Sequence, residues 1–184
     1  MKLGPTPPAV KVWDLPVRLL HWALVVAVAT AWLSTLGFFR VHEPAGYAAL
    51  VIVVVRLVWG IVGSRYARFS QFVRAPTPTL DYGARLWMRR EPRYIGHNPL
   101  GAWMVLALLG CVASLGMTGW LYTTDMFWGM TWLDQLHGAL AWLLLALAAL
   151  HVAGVVFTSR RHRENLARAM VTGNKAPPGA GDIT

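Results

Sequence analysis

The sequence predicts an all-α membrane protein: a four-transmembrane-helix bundle with both termini cytoplasmic. Three observations predict it. Of 184 residues, 56% are hydrophobic and 14% are charged, whereas soluble domains average roughly a quarter charged. Four stretches of about 20 residues, the length that crosses a bilayer as a helix, are nearly free of Asp, Glu, Lys and Arg. And 15 of the 17 Lys and Arg fall in three segments that an even number of crossings puts on one side.

Taken in order, the N-terminal MKLGPTPPAVKVWD has no apolar h-region and no cleavage pattern, so no cleavable signal peptide is expected. Asp14 is a candidate N-cap, with Pro16 in the first turn. Leu19 to Phe39 is free of charge between Arg18 and Arg40, which predicts a first span over about 15–39. Pro44 to Ser64 is free of charge except for Arg56 and predicts a second over 43–64. The loop from Arg65 to Asn98 holds seven arginines and three prolines, and Leu80 to Arg90 within it reads as a short amphipathic surface helix. Pro99 to Thr124 predicts a third span over 98–122. The next loop carries Phe127, Trp128 and Trp132, an interfacial aromatic belt that is also suited to docking a partner. Gln135 to Ser159 predicts the fourth span over 133–159. No span alternates apolar and polar residues strictly, which excludes barrel strands. Residues 1–175 read as one domain and 176–184 as a disordered tail.

The net charge of +9 is therefore topological, with some attraction to anionic lipid, and nothing in the chain points to nucleic acid. The face opposite the termini carries Arg40 against Glu43, Asp125 and Asp134. The single cysteine, Cys111, excludes a disulfide framework, a Cys-based zinc site and a cysteine-ligated iron–sulfur cluster, and reads as a small packing residue.

The histidines carry the chemistry, because metal-binding side chains inside a span are costly and usually functional. His137 and His151 are 14 residues apart. At 100° per residue they return to within about 40° of one face, and they are separated by about 21 Å of rise. His21 in span one matches the inner depth, and His42 at the start of span two matches the outer depth. Two cross-helix pairs result, His21 with His151 and His42 with His137. Facing imidazoles without nearby carboxylates suit six-coordinate haem iron, whereas zinc wants three or four protein ligands in one place. With no Cys-x-x-Cys-His motif, such haems are non-covalent, of b type. Gly46 and Gly154 each lie about one turn from a ligand histidine and leave room for a macrocycle. Arg56, 14 residues after His42, shares its face at the inner depth and is a natural partner for a haem propionate. His97 and His162 read as solvated interface residues.

Several of these stretches together resemble the bacterial cytochrome b561 and nickel–iron hydrogenase b-type cytochrome family of four-helix di-haem proteins. They are Val12-Trp-Asp-Leu-Pro-Val-Arg-Leu-Leu-His21-Trp22, His42-x-x-x-Gly46 with Arg56 and Trp59-Gly60, Gly96-His-Asn-Pro-Leu-Gly-Ala-Trp103, His137 followed by His151, and His162-Arg-Glu-Asn-Leu166. Glu43-Pro44 after His42 departs from the pattern. The resemblance implies that His21, His42, His137 and His151 are the axial ligands of two b haems. It also implies electron exchange between a membrane quinone pool and a partner outside the cytoplasm.

The expected function is that of an electron-transfer subunit in the bacterial inner membrane rather than a stand-alone enzyme. Its partners would be a periplasmic c-type cytochrome or hydrogenase-like subunit on one side and quinone on the other. His97 and Asn98 are weak candidates for the quinone site. A superoxide:quinone oxidoreductase is a second reading, disfavoured by the acidic outer loops. A haem-free membrane anchor or transporter subunit is a third.

Overall fold

A computed structural model describes residues 9–184; Lys2, one of the 15 basic residues on the side of the termini in the sequence reading, lies outside them. Four long helices are apolar and long enough to cross a membrane: α1 (Leu15–Ser34), α2 (His42–Val62), α5 (Pro99–Tyr122) and α6 (Thr131–Arg161). Between α2 and α5 come the single turn α3 (Phe69–Phe72) and the amphipathic α4 (Pro76–Trp87). After α6 come α7 (Leu166–Thr172) and a two-residue strand, β2 (Asn174–Lys175), which pairs antiparallel with β1 (Val10–Lys11).

Local chemistry sets the helix ends. Asp14 caps α1, its Oδ1 accepting the Val17 N–H at 2.8 Å, and a proline sits in the first turn as expected. Asn98 caps α5 by accepting from Gly101 N–H at 2.7 Å, again ahead of a proline. Asn165 caps α7, which closes on Gly173 at φ +86°, a left-handed position suited to glycine. Two spans depart from the sequence reading. α1 stops at Ser34 rather than near residue 39, because the hydroxyls of Ser34 and Thr35 bond back to the carbonyls of Ala31 and Trp32 and Gly37 turns away at φ +135°. α6 runs from 131 to 161, so its 31 residues span about 46 Å, longer than a hydrocarbon core of about 30 Å.

The helices pack in series: α1 along α2, α2 along α5, α5 along α6. No comparably close backbone packing joins α6 to α1 or α2; side chains such as Trp32 and Trp142, with ring centroids 5.2 Å apart, bridge that side. The central core is Ala27, Ala49, Val53, Leu109, Cys111, Val112 and Leu144, with Cys111 acting as a packing residue. A Cβ added at Gly116 would lie 2.9 Å from Leu50, so this small residue admits the close α2–α5 approach.

The segment from Val10 to Val17 and the C-terminal segment meet at one end, where they build a cap. Val12, Trp13, Val17, Ala67, Ile95 and Ala169 form a second buried cluster there. Lys175 is buried with its Nζ donating to the Ile95 carbonyl at 3.0 Å. Arg93 pairs with Glu164 at 2.8 Å and Asp182 at 2.5 Å, and Arg161 pairs with Glu91 at 2.6 Å. Trp22 donates to the Met170 carbonyl at 3.4 Å and Arg18 donates to the Val171 carbonyl, so α7 docks beneath the start of α1. Residues 176–184, read from composition as a disordered tail, instead fold back on the loop before α5 through Arg93–Asp182 and a Tyr94–Ile183 bridge. The surface helix expected over Leu80 to Arg90 is α4, which starts four residues earlier, at Pro76, and ends three earlier, at Trp87. It exposes Leu80 and Trp87 and buries Tyr82.

Candidate functional site

The four intramembrane histidines project from three helices: His21 from α1, His42 from α2, His137 and His151 from α6. All four are half-buried. His21 and His42 thus stand on α1 and α2, the two helices against which α6 is not closely packed.

His42 and His137 meet at the end away from the termini, with ring centroids 6.1 Å apart and planes at 69°. Each ring is anchored by Nδ1. His42 Nδ1 lies 2.9 Å from the Ala31 carbonyl, which only accepts, so this nitrogen carries the proton. His137 Nδ1 lies 2.9 Å from Thr118 Oγ1. The Thr118 hydroxyl also lies 2.9 Å from the Ser114 carbonyl and 3.1 Å from the Leu115 carbonyl, so with its hydrogen on either of these its oxygen is free to accept from Nδ1–H. Both rings are thereby left with an unprotonated Nε2. Two metal–nitrogen bonds of about 2.0 Å each, plus the distance from nitrogen to ring centre on both sides, come to roughly 6 Å. The spacing and tautomers fit one six-coordinate iron between the rings.

His21 and His151 lie within electrostatic reach of one another nearer the terminal end. The Nδ1 of His21 is enclosed without a hydrogen-bond partner. Arg56 is buried at 8% exposure in the same region. Its Nη2 donates to the Ala67 carbonyl at 3.1 Å and its guanidinium lies over the Phe69 ring, 5.0 Å from the centroid. Its Nη1 is buried with no partner. An orphan cationic donor within electrostatic reach of His97 fits an anionic group such as a propionate. Gly46 and Gly154 face open space: a Cβ built on either meets nothing within 4 Å. That clearance suits a bulky flat ligand.

His97 is not a solvated residue. Its ring packs between Trp13 (centroids 4.7 Å apart) and Phe72 (4.5 Å), and its Nδ1 is enclosed without a partner. Burial, with the charges of Arg56 and Lys175 close by, pushes its pKa down to about 3, so the ring is neutral at physiological pH. Asn98 beside it has its Oδ1 committed to the α5 cap. His162 ends α6 and stays partly exposed.

Sequence reasoning missed the residues that hold the rings. Thr118 and Gly119 of α5 shape the His137 seat, a Cβ at Gly119 coming within 3.3 Å of His137 Cε1. Ser34 and the Ala31 carbonyl of α1 do the same for His42, with Ser34 Oγ at 3.2 Å from Nδ1. The signal available was a hydroxyl residue at outer depth in otherwise apolar spans. The shared motifs also gain physical meaning. Asp14 Oδ2 accepts from the Trp59 indole at 2.9 Å and the Ser64 hydroxyl at 2.6 Å, and Gly60 leaves the space that the Phe69 ring occupies.

The sequence profile of the family described as prokaryotic cytochrome b561 matches residues 12–173. The chain is similar to the probable Ni/Fe-hydrogenase B-type cytochrome subunit of Azotobacter vinelandii, 24% identical over 213 residues, covering 90% of this chain and 88% of that one. It is 23% identical to the protein of the same description from Bradyrhizobium diazoefficiens, covering 91% and 86%. To the probable Ni/Fe-hydrogenase 1 B-type cytochrome subunit of Escherichia coli K12 it is 25% identical, over about half of each chain (48% and 49%). No solved structure matches the chain.

Proposed function

This chain belongs to the prokaryotic cytochrome b561 family and is a multi-pass membrane b-type cytochrome of electron transfer; from that premise we propose that it carries two b haems and relays electrons between a periplasmic partner and the membrane quinone pool. His42 with His137 would hold the outer haem and His21 with His151 the inner one. The observation that carries this reading is the outer pair: rings 6.1 Å apart, each with Nδ1 engaged and Nε2 free. Bound haem supplies reversible one-electron chemistry, and the chain supplies ligation, spacing and electrostatics. The rise from His137 to His151, about 21 Å, sets the separation of the two ligand levels.

Arg56, whose Nη1 is unpartnered, would hold an inner propionate, and Gly46 and Gly154 would leave clearance for the macrocycles. The capped, basic end of the molecule faces the cytoplasm, and the membrane is the bacterial inner membrane; the Lys and Arg distribution supports this orientation. The relatives' names support a hydrogenase-like redox partner, with a c-type cytochrome as the other candidate. Quinone would react near the inner level, where His97 and, less strongly, Asn98 stand closest to the cap.

Haem content tests the reading. Purified in detergent, the protein should carry two b haems per chain by pyridine haemochromogen assay, and His137→Ala or His151→Ala should each lose one. A colourless protein, or full pigment in both variants, would overturn it.

A further inference from the structure

The two histidine pairs are held differently. In the outer pair both Nδ1 atoms face an oxygen: the Ala31 carbonyl for His42 and the Thr118 hydroxyl for His137, each at 2.9 Å. These oxygens are themselves fixed. Ser34 Oγ, 2% exposed, donates to the Ala31 carbonyl at 2.7 Å, and Thr118, 7% exposed, donates to Ser114 and Leu115 at 2.9 and 3.1 Å. In the inner pair the Nδ1 of His21 is enclosed with no partner, and among the described residues His151 makes no hydrogen bond to protein. Arg56 is a buried cation within electrostatic reach of His97.

We propose that Thr118 is a positioning residue for the outer haem, its hydroxyl oxygen holding His137 as the Nδ1–H tautomer and lowering that haem's potential relative to a ligand without an acceptor. The proposal rests on the di-haem reading above. A ligand imidazole that donates its second N–H becomes a more basic donor toward the metal. A more basic ligand stabilises the ferric state over the ferrous, so the potential falls. With Nε2 given to an iron, the proton of a neutral His137 ring sits on Nδ1, and Thr118 accepts it while its own hydrogen goes to an α5 carbonyl. By accepting there it favours the Nδ1–H tautomer, the one whose Nε2 lone pair is free for the iron. Ser34 acts one bond further away on the His42 side, by fixing the Ala31 carbonyl. The position is not replaceable by bulk: Thr→Val keeps the shape and removes the acceptor, and Thr→Ser keeps the acceptor and removes a methyl.

The test uses the full chain with its native haem complement. Thr118→Val and Thr118→Ser are compared with wild type by pyridine haemochromogen assay, by optical redox titration and by low-temperature EPR of the oxidised protein. A His151→Ala background, retaining the outer haem alone, assigns the signals. The expected result is an upward shift of the outer midpoint and a changed outer g value in Thr118→Val, with haem retention weakened about 10–100-fold, and wild-type values in Thr118→Ser. If Thr118→Val keeps both haems with unchanged midpoints and g values, the proposal is wrong. If Thr118→Val loses the outer haem, Thr118→Ser decides: wild-type behaviour supports the acceptor role and loss of haem overturns it. Failure of the underlying reading is distinguishable, since wild type would then lack two haems or His137→Ala would keep both.

Discussion

The indole N–H of Trp59 donates to the carboxylate of Asp14 at 2.9 Å, so the last turn of α2 is tied to the first residue before α1. The same carboxylate caps α1 through Val17 and receives the Ser64 hydroxyl. One side chain thus fixes both helix ends beneath the inner histidine level. Burial alone would raise its pKa, but the hydrogen bonds from Ser64, Val17 and Trp59 outweigh it and hold the carboxyl below the usual range.

Asp14→Ala removes the cap and leaves the Trp59 and Ser64 donors unpaired. The cap is worth about 0.5–2 kcal/mol. Thermal unfolding followed by circular dichroism in detergent should show a clear loss of stability, partly recovered in Asp14→Asn, which still caps. Equal melting of wild type and Asp14→Ala would mean the carboxylate is dispensable.

Arg56→Leu should lower the inner-haem midpoint. A buried cation favours the reduced, less positive iron, so removing it favours the oxidised form. Potentiometric titration reads this directly. An unchanged midpoint would confine Arg56 to its Ala67 and Phe69 contacts.

His97→Phe keeps an aromatic ring between Trp13 and Phe72 while deleting the nitrogens. Quinol turnover should slow while the haem spectrum stays intact. Because the wild-type ring titrates only near pH 3, its contribution should not vary between pH 5 and 8. Unaltered quinol kinetics would remove His97 from the quinone site.

Glu164 binds the Arg93 side chain, Lys175 and the Ala176 N–H. Burial pushes its pKa up, but these partners outweigh it, so the folded value lies below the ordinary one. The sign follows. The stabilisation is fully present above the unfolded pKa of about 4.3 and is lost as pH falls through the lower folded value. Amide protection factors in residues 173–184, exchange rates divided into the intrinsic rate at each pH, should therefore stay high at pH 6 and fall on acidification below about pH 4. Glu164→Gln should flatten that dependence.

Much of the fold was legible without coordinates. Charge-free runs marked the four spans because a bilayer tolerates few charges, and Asp14 with Pro16 marked the start of α1 because helix N-termini need an acceptor and tolerate proline. The end of α1 was less legible. Apolar residues continue to Phe39, and only the back-bonding of Ser34 and Thr35 stops the helix sooner. Tail composition suggested disorder at 176–184, but Arg93 gathers Glu164 and Asp182 from segments more than 70 residues away.

By itself the sequence determined the number of spans and the spacing of His137 and His151, because hydrophobic length and helical period are local properties of the chain. Only the tertiary structure decided what surrounds each ring. Thr118 and the Ala31 carbonyl come to His137 and His42 from other helices, and Trp13 and Phe72 enclose His97 from two separate segments. Such partners are set by how helices pack, and no periodicity along one helix encodes them.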